Sequence, residues 1–81
     1  MKILIRNLES SVTDSDLFLL FRKFGIVSEI NLATNIQGKS LGYAYLTMDQ
    51  YNEGRQAVKR LNNILFKGMY IKAQELNSSL E

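Results

Sequence analysis

Apolar and polar side chains alternate along four segments of the chain. The segments are Lys2–Leu8, Val27–Ala33, Ser40–Met48 and Met69–Gln74. Successive side chains of a strand point to opposite faces of a sheet, so strict alternation indicates a strand with one buried face. The pattern therefore predicts four strands, each contributing one apolar face to a common core.

Two further segments space their apolar residues as a helix does, at intervals of three and four. Thr13 is a good N-cap for the first helix, and Asp16 follows at the capping-box position. Gly25 is expected to end this helix in the left-handed conformation. Asp49 is the expected N-cap of the second helix. The apolar positions are Leu17, Leu20, Phe21 and Phe24 in the first helix, and Tyr51, Gly54, Ala57, Val58 and Leu61 in the second.

The resulting order is β-α-β-β-α-β. It predicts an α+β, ferredoxin-like, two-layer sandwich in which both helices cover one face of a four-stranded antiparallel sheet. The first and third strands are expected side by side in the middle of that sheet. We expect one domain over residues 1–75, followed by a polar tail at 76–81.

With only two helices, the second face of the predicted sheet stays in solvent. Tyr43 and Tyr45 fall on that face, among cations and amides, and such a surface can stack single-stranded bases at about 1–3 kcal/mol per base. Tyrosine is also a good strand former that tolerates exposure, which is the plainer interpretation. The alternation places the following residues on the solvent face: Lys2, Leu4, Arg6, Glu29, Asn31, Tyr43, Tyr45, Thr47, Tyr70, Lys72 and Gln74.

Composition narrows the chemistry. The chain has 81 residues, a net charge of +2, no histidine and no cysteine. Disulfides, Cys/His metal sites and nucleophile–His catalysis are therefore excluded, and we expect no enzyme activity, no cofactor and no small-molecule substrate. The lack of cysteine fits an intracellular protein, nuclear or cytoplasmic. No apolar run suits a membrane span and no signal peptide is visible, so no membrane partner is expected.

Two motifs resemble those of the RNA recognition motif family. Leu41–Met48, "LGYAYLTM", is similar to the signature K/R-G-F/Y-G/A-F-V-x-F/Y, and Ile3–Leu8, "ILIRNL", is similar to its shorter partner motif. The stretch "FRKFGIVSEINL" also looks like the end of the first helix and the second strand of the family. Within the family, "SLGYAYL" is especially similar to the first recognition motif of cytoplasmic poly(A)-binding proteins. The resemblance spans residues 2–75.

The resemblance implies a binding module for single-stranded RNA, most similar to mRNA-binding modules. Three departures weaken it: Leu4 stands where an aromatic ring is usual, Leu41 replaces a cation, and Met48 replaces an aromatic residue on the core side. We therefore expect micromolar or poorer affinity, with other domains of a longer protein adding avidity. The expected RNA contacts are Lys2, Leu4, Arg6, Asn31, Lys39, Tyr43, Tyr45, Thr47, Tyr70, Lys72 and Gln74.

Two other function classes remain. The weakened motifs also suit a protein-interaction module of the same fold, which docks another protein domain or a second copy of itself through Leu4 and its neighbours. Against this, the Arg-x-Phe loop of known peptide-docking relatives is missing, since the corresponding stretch is "NILFKGM". An enzyme is disfavoured, because capping explains Asp14 and Asp16 and no phosphate-cradling glycine loop is present.

Overall fold

The computed structural model describes residues 1–76, which form the α+β sandwich that the sequence predicts. The predicted polar tail lies, from residue 77 onward, outside the described residues, while Leu76 still belongs to the last strand. The elements in chain order are β1 (Lys2–Arg6), α1 (Asp14–Phe21), β2 (Val27–Thr34), β3 (Ser40–Met48), α2 (Tyr51–Leu61), β4 (Leu65–Phe66), β5 (Met69–Tyr70) and β6 (Lys72–Leu76).

The main sheet has the strand order β2-β3-β1-β6, and all its pairs are antiparallel. This confirms that the first and third strands occupy the middle. The apolar parity of β1, β3 and β6 is buried against the two helices, as predicted, whereas Ile30 and Leu32 of β2 are half-buried. Leu8 and Val12, which the strand and helix patterns do not assign to the core, are also buried. The buried core is Ile3, Ile5, Leu8, Val12, Leu17, Phe21, Ala44, Leu46, Met48, Ala57, Leu61, Ile71 and Ala73.

The predicted capping box at the start of α1 is present. Thr13 Oγ1 accepts a hydrogen bond from the Asp16 backbone N–H at 3.2 Å, and the Thr13 N–H donates to Asp16 Oδ2 at 2.9 Å. That second bond is the main reason why the pKa of Asp16 lies below its ordinary value. The predicted helix end is wrong. Regular helix stops at Phe21, Arg22 is the C-cap, and Gly25 has a φ of 158°, outside the left-handed helical region.

The start of α2 also differs from the prediction. Gln50, not Asp49, is the N-cap, and it makes no side-chain capping bond. Gly54 is buried on the inner side of this helix, where a β-carbon would overlap the Met1 sulfur. The Met1 side chain therefore occupies the space that a larger residue would need, at a position where glycine weakens the helix by about 1 kcal/mol.

The segment predicted as one last strand is divided into two. Met69–Tyr70 pairs with Leu65–Phe66 in a separate hairpin, and the main sheet resumes only at Lys72. The two-residue turn of the hairpin has positive φ at both positions, 50° at Lys67 and 88° at Gly68, as a type I′ turn requires. The parity argument that places Tyr70 on the main sheet beside Lys72 is therefore wrong.

Candidate functional site

On the face of the main sheet opposite the helices, strand register arranges the side chains in three rows that run across the strands. Residues that are direct partners in an antiparallel pair share a face, so the register alone defines each row. The upper row is Tyr43–Arg6–Lys72, the central row is Asn31–Tyr45–Leu4–Gln74, and the lower row is Glu29–Thr47–Lys2–Leu76.

Nine of the eleven predicted site residues belong to these rows. The two exceptions are Lys39, which lies in the loop before β3, and Tyr70, which lies in the β4–β5 hairpin. Tyr70 is nevertheless connected to the end of β1, because Asn7 Nδ2 donates to its carbonyl oxygen at 2.8 Å. The three rows together form one surface, which we call the open face. Its predicted site residues are Lys2, Leu4, Arg6, Asn31, Tyr43, Tyr45, Thr47, Lys72 and Gln74.

The two tyrosines form a pair at the middle of the open face. Their ring centroids are 5.9 Å apart and their planes are inclined at 88°, an edge-to-face arrangement. Tyr45 is 42% exposed and lies directly across from Leu4. Aromatic rings held edge to face restrain one another, so the pair presents a preformed apolar surface to solvent.

Gly42 determines how β3 enters the sheet. Its φ is +87°, and its carbonyl oxygen accepts from the Leu8 N–H at 2.9 Å. A side chain in this conformation is strained, which accounts for a glycine immediately before the tyrosines. The register with β2 shifts at the same place, between Leu32 and Thr34. The hydrogen bond from Leu8 to Gly42 thus joins the end of the shorter motif, Ile3–Leu8, to the start of the longer one, Leu41–Met48.

Positive charge is concentrated in the upper row, where Arg6 and Lys72 are direct partners beside Tyr43. Lys72 Nζ donates to Asn63 Oδ1, which fixes its position at the edge. Within residues 1–76, the one ion pair joins Lys67 Nζ to Asp16 Oδ1 at 3.7 Å. Neither Arg6 nor Lys72 is therefore paired with a carboxylate in that part of the chain. An anion approaching the row meets both charges.

The lower row has a different character. It contains the carboxylate of Glu29, the hydroxyl of Thr47 and the ammonium of Lys2, and it ends on the apolar Leu76. Asn31 Nδ2 donates to Glu29 Oε2 at 3.3 Å. The sequence parity places Glu29 on this face, but it is not among the predicted contacts. Leu76 falls in the predicted tail, so the sequence pattern does not assign it to the sheet at all.

The loop between β2 and β3 is held by the side chain of Asn35. Its Oδ1 accepts from the backbone N–H groups of Gln37 and Lys39, each at 2.9 Å. Lys39 is exposed, and Ile36, at the tip, is 98% exposed. Nothing in the hydrophobic pattern singles out Ile36, because an isolated apolar residue in a polar loop carries no periodicity.

Among residues 1–76, no three or more Asp or Glu side chains are grouped closely enough to hold a metal ion. None of the helices in that part of the chain is both long and apolar enough to cross a membrane.

Comparison with known proteins gives consistent matches. The family model of the RNA recognition motif matches residues 3–72. A subunit of eukaryotic translation initiation factor 3 from Dictyostelium discoideum is 37% identical over 60 residues, which is 74% of this chain and 26% of that protein. A polyadenylate-binding protein, cytoplasmic and nuclear, from Chaetomium globosum is 38% identical over 65 residues, 79% of this chain and 8% of that protein. The chain thus spans about a quarter or less of these relatives.

Solved structures share the fold. The crystal structure of RNA binding protein PG1 superposes with a TM-score of 0.91 at 28% identity, covering 94% of this chain and 93% of that one. RNA recognition domains 1 and 2 of Sex-lethal from Drosophila melanogaster give a TM-score of 0.89 at 25% identity, covering 94% of this chain and 49% of that one.

Proposed function

Because the chain belongs to the RNA recognition motif family, we propose that it binds single-stranded RNA on the open face, with bases stacked on Tyr43 and Tyr45. The observation that carries the proposal is the edge-to-face tyrosine pair on a middle strand of the main sheet, on the face opposite the helices and directly beside Arg6, which forms no ion pair with a carboxylate within residues 1–76. Aromatic platforms next to cations bind single strands because every base has a π face and every nucleotide has a phosphate.

The rows suggest a role for each side chain. In the proposal Tyr43 and Tyr45 stack bases, and Leu4 gives a third, aliphatic contact. The cations Lys2, Arg6 and Lys72 meet phosphates, whereas the amides and hydroxyl meet base edges. Lys39 and Tyr70 contact the strand only where it leaves the sheet, at the loop and at the hairpin. The polar set is Asn31, Thr47 and Gln74.

The RNA class proposed is messenger RNA. Support comes from the similarity to a polyadenylate-binding protein and to a translation initiation factor subunit. A nuclear or cytoplasmic location is proposed on the same grounds, as is a role as a domain of a longer protein (residues 1–75) whose other parts add avidity. The missing aromatic ring at Leu4 is the reason to expect micromolar or weaker binding by this domain alone.

The test is fluorescence anisotropy with labelled oligo(A), oligo(U) and a random ribo-oligomer pool. The double variant Tyr43→Ala/Tyr45→Ala should lose most of its affinity for all three. Tyr51→Ala is the matched control, because Tyr51 is exposed but lies at the start of α2, in the helix layer. Absence of wild-type binding to every oligomer at low salt would refute the proposal, as would equal losses in the two variants.

A protein-interaction module is the second candidate function. The observation that favours it is the pair of half-buried leucines, Leu4 and Leu76, on the same open face. An apolar pair within a polar surface suits a second copy of the chain or another domain. Analytical ultracentrifugation over a range of protein concentrations measures self-association and so distinguishes this candidate from RNA binding. Self-association that Leu4→Ser abolishes, without any RNA binding, would favour this candidate.

A further inference from the structure

Of the residues in the three rows of the open face, Glu29 is the one that carries a negative charge. It stands opposite Thr47, and Thr47 is in turn opposite Lys2, so a whole strand separates the carboxylate from that cation. Neighbouring strands are about 4.8 Å apart, which puts two strand spacings between the two backbones. Glu29 is exposed and, within residues 1–76, it forms no ion pair.

A phosphate cannot approach such a group without repulsion, but the edge of a base can. Asn31 Nδ2 donates to one oxygen of the carboxylate, Oε2, from the adjacent position of the same face. The bond restrains the carboxylate beside the central row, where Asn31 is the direct partner of Tyr45. A base stacked on Tyr45 therefore extends its edge toward an oriented group that only accepts hydrogen bonds.

The four bases differ in what they offer to such an acceptor. Guanine has two adjacent donors on its Watson–Crick edge, N1–H and the N2 amino group, which match the two oxygens of a carboxylate. Adenine and cytosine have one amino donor beside an acceptor nitrogen. Uracil has a single N3–H between two carbonyl oxygens, and both of these oxygens would face the negative charge. Reading of this edge is the usual route to sequence preference in single-stranded RNA.

We propose that Glu29 is a specificity-determining residue, which selects guanine and rejects uracil at the nucleotide beside Tyr45. The inference rests on the proposed RNA-binding function and adds a base preference to it. Asn31 acts as a positioning residue through its bond to the carboxylate.

The experiment uses short adenosine oligomers that carry one central guanosine, inosine or uridine, with binding measured by anisotropy. The wild type should bind the guanosine oligomer about 5- to 10-fold more tightly than the uridine one, the lower end of what a bidentate side chain–base contact provides. Inosine, which lacks the N2 amino group, should fall between them. Glu29→Gln should bind the guanosine, inosine and uridine oligomers with equal affinity. Glu75→Gln is the matched control, since its partner is the buried Ile3 and its side chain is on the helix side.

The opposing outcomes are distinct. If Glu29→Gln tightens binding to every oligomer by the same factor, the carboxylate is merely a repulsive charge and the inference is wrong, although the proposed function stands. The inference is equally wrong if the variant keeps the wild-type order of oligomers. If the wild type binds none of the oligomers at low salt, both the proposed function and this inference are overturned.

Discussion

Leu4→Phe should increase the affinity for RNA, because it places an aromatic ring directly beside Tyr45, where the wild type has only an aliphatic side chain. Leu4 lies between Tyr45 and Gln74 in the central row, half-buried, with its side chain on the open face. The new ring would extend the tyrosine platform across the two middle strands. Since the substitution does not enter the core, the folding stability should change little.

The size of the gain follows from the stacking energy. A stacked base contributes about 1–3 kcal/mol relative to alanine, and Leu4 already supplies part of this through apolar contact. A gain of about 1 kcal/mol is therefore expected, which is about a fivefold decrease in Kd. Anisotropy titrations with oligo(A) at fixed salt measure it directly.

The matched control is Leu65→Phe. Leu65 is 60% exposed, but it belongs to the β4–β5 hairpin outside the main sheet. The same change there should leave the Kd unaltered. Thermal melts of both variants check that neither disturbs the fold. Equal gains in the two variants would show that added surface hydrophobicity, not a ring beside Tyr45, drives binding, and no gain in Leu4→Phe would refute stacking at this position.

Three further outcomes are expected. Arg6→Ala should lower the slope of log affinity against log salt by about 0.7, the contribution of one phosphate contact to a single strand, whereas Arg55→Ala, on the exposed side of α2, should not change it. Gly42→Ala should destabilise the fold by about 1–2 kcal/mol in urea denaturation, because a residue with a β-carbon is strained at φ +87°; an unchanged urea midpoint would contradict this explanation of the turn. Asp16→Asn should lower the urea midpoint at pH 7. Bonding to the Thr13 N–H lowers the pKa of Asp16, so the stability that the carboxylate contributes is present at neutral pH and is lost as the pH falls through that lowered pKa; a difference between variant and wild type that does not shrink as the pH is lowered would contradict the capping argument.

The elements whose apolar residues recur with a fixed period are predictable from the sequence. The alternation in β1 and β3 assigns Leu4, Tyr43 and Tyr45 to the open face, and the strand order follows from the element order. The family match makes the same fold assignment. Period-two patterns carry this information because a one-residue error would move every apolar side chain into solvent.

The last strand shows where that reasoning fails. Tyr70, Lys72 and Gln74 have the same parity, so alternation alone places them on one face. The backbone instead leaves the main sheet, because Ile71 is held by its N–H bond to the Ile64 carbonyl at 3.0 Å and by the Asn63 N–H bond to its own carbonyl at 2.8 Å. Parity is preserved only along an unbroken strand, and these bonds come from Asn63 and Ile64, which lie outside the four alternating segments.

In the proposed binding mode, the distribution of charge on the open face separates affinity from base preference. Arg6 and Lys72 are in the upper row, and Glu29 is in the lower row. Those two rows are separated by about four residues along a strand, a distance of about 13 Å. Arg6→Ala should weaken binding to all oligomers alike, and Glu29→Gln should remove only the differences among them. Effects of substitutions more than about 7–10 Å apart usually add. The double variant should show both changes in full, because Arg6 and Glu29 belong to different rows and would contact different parts of the bound strand.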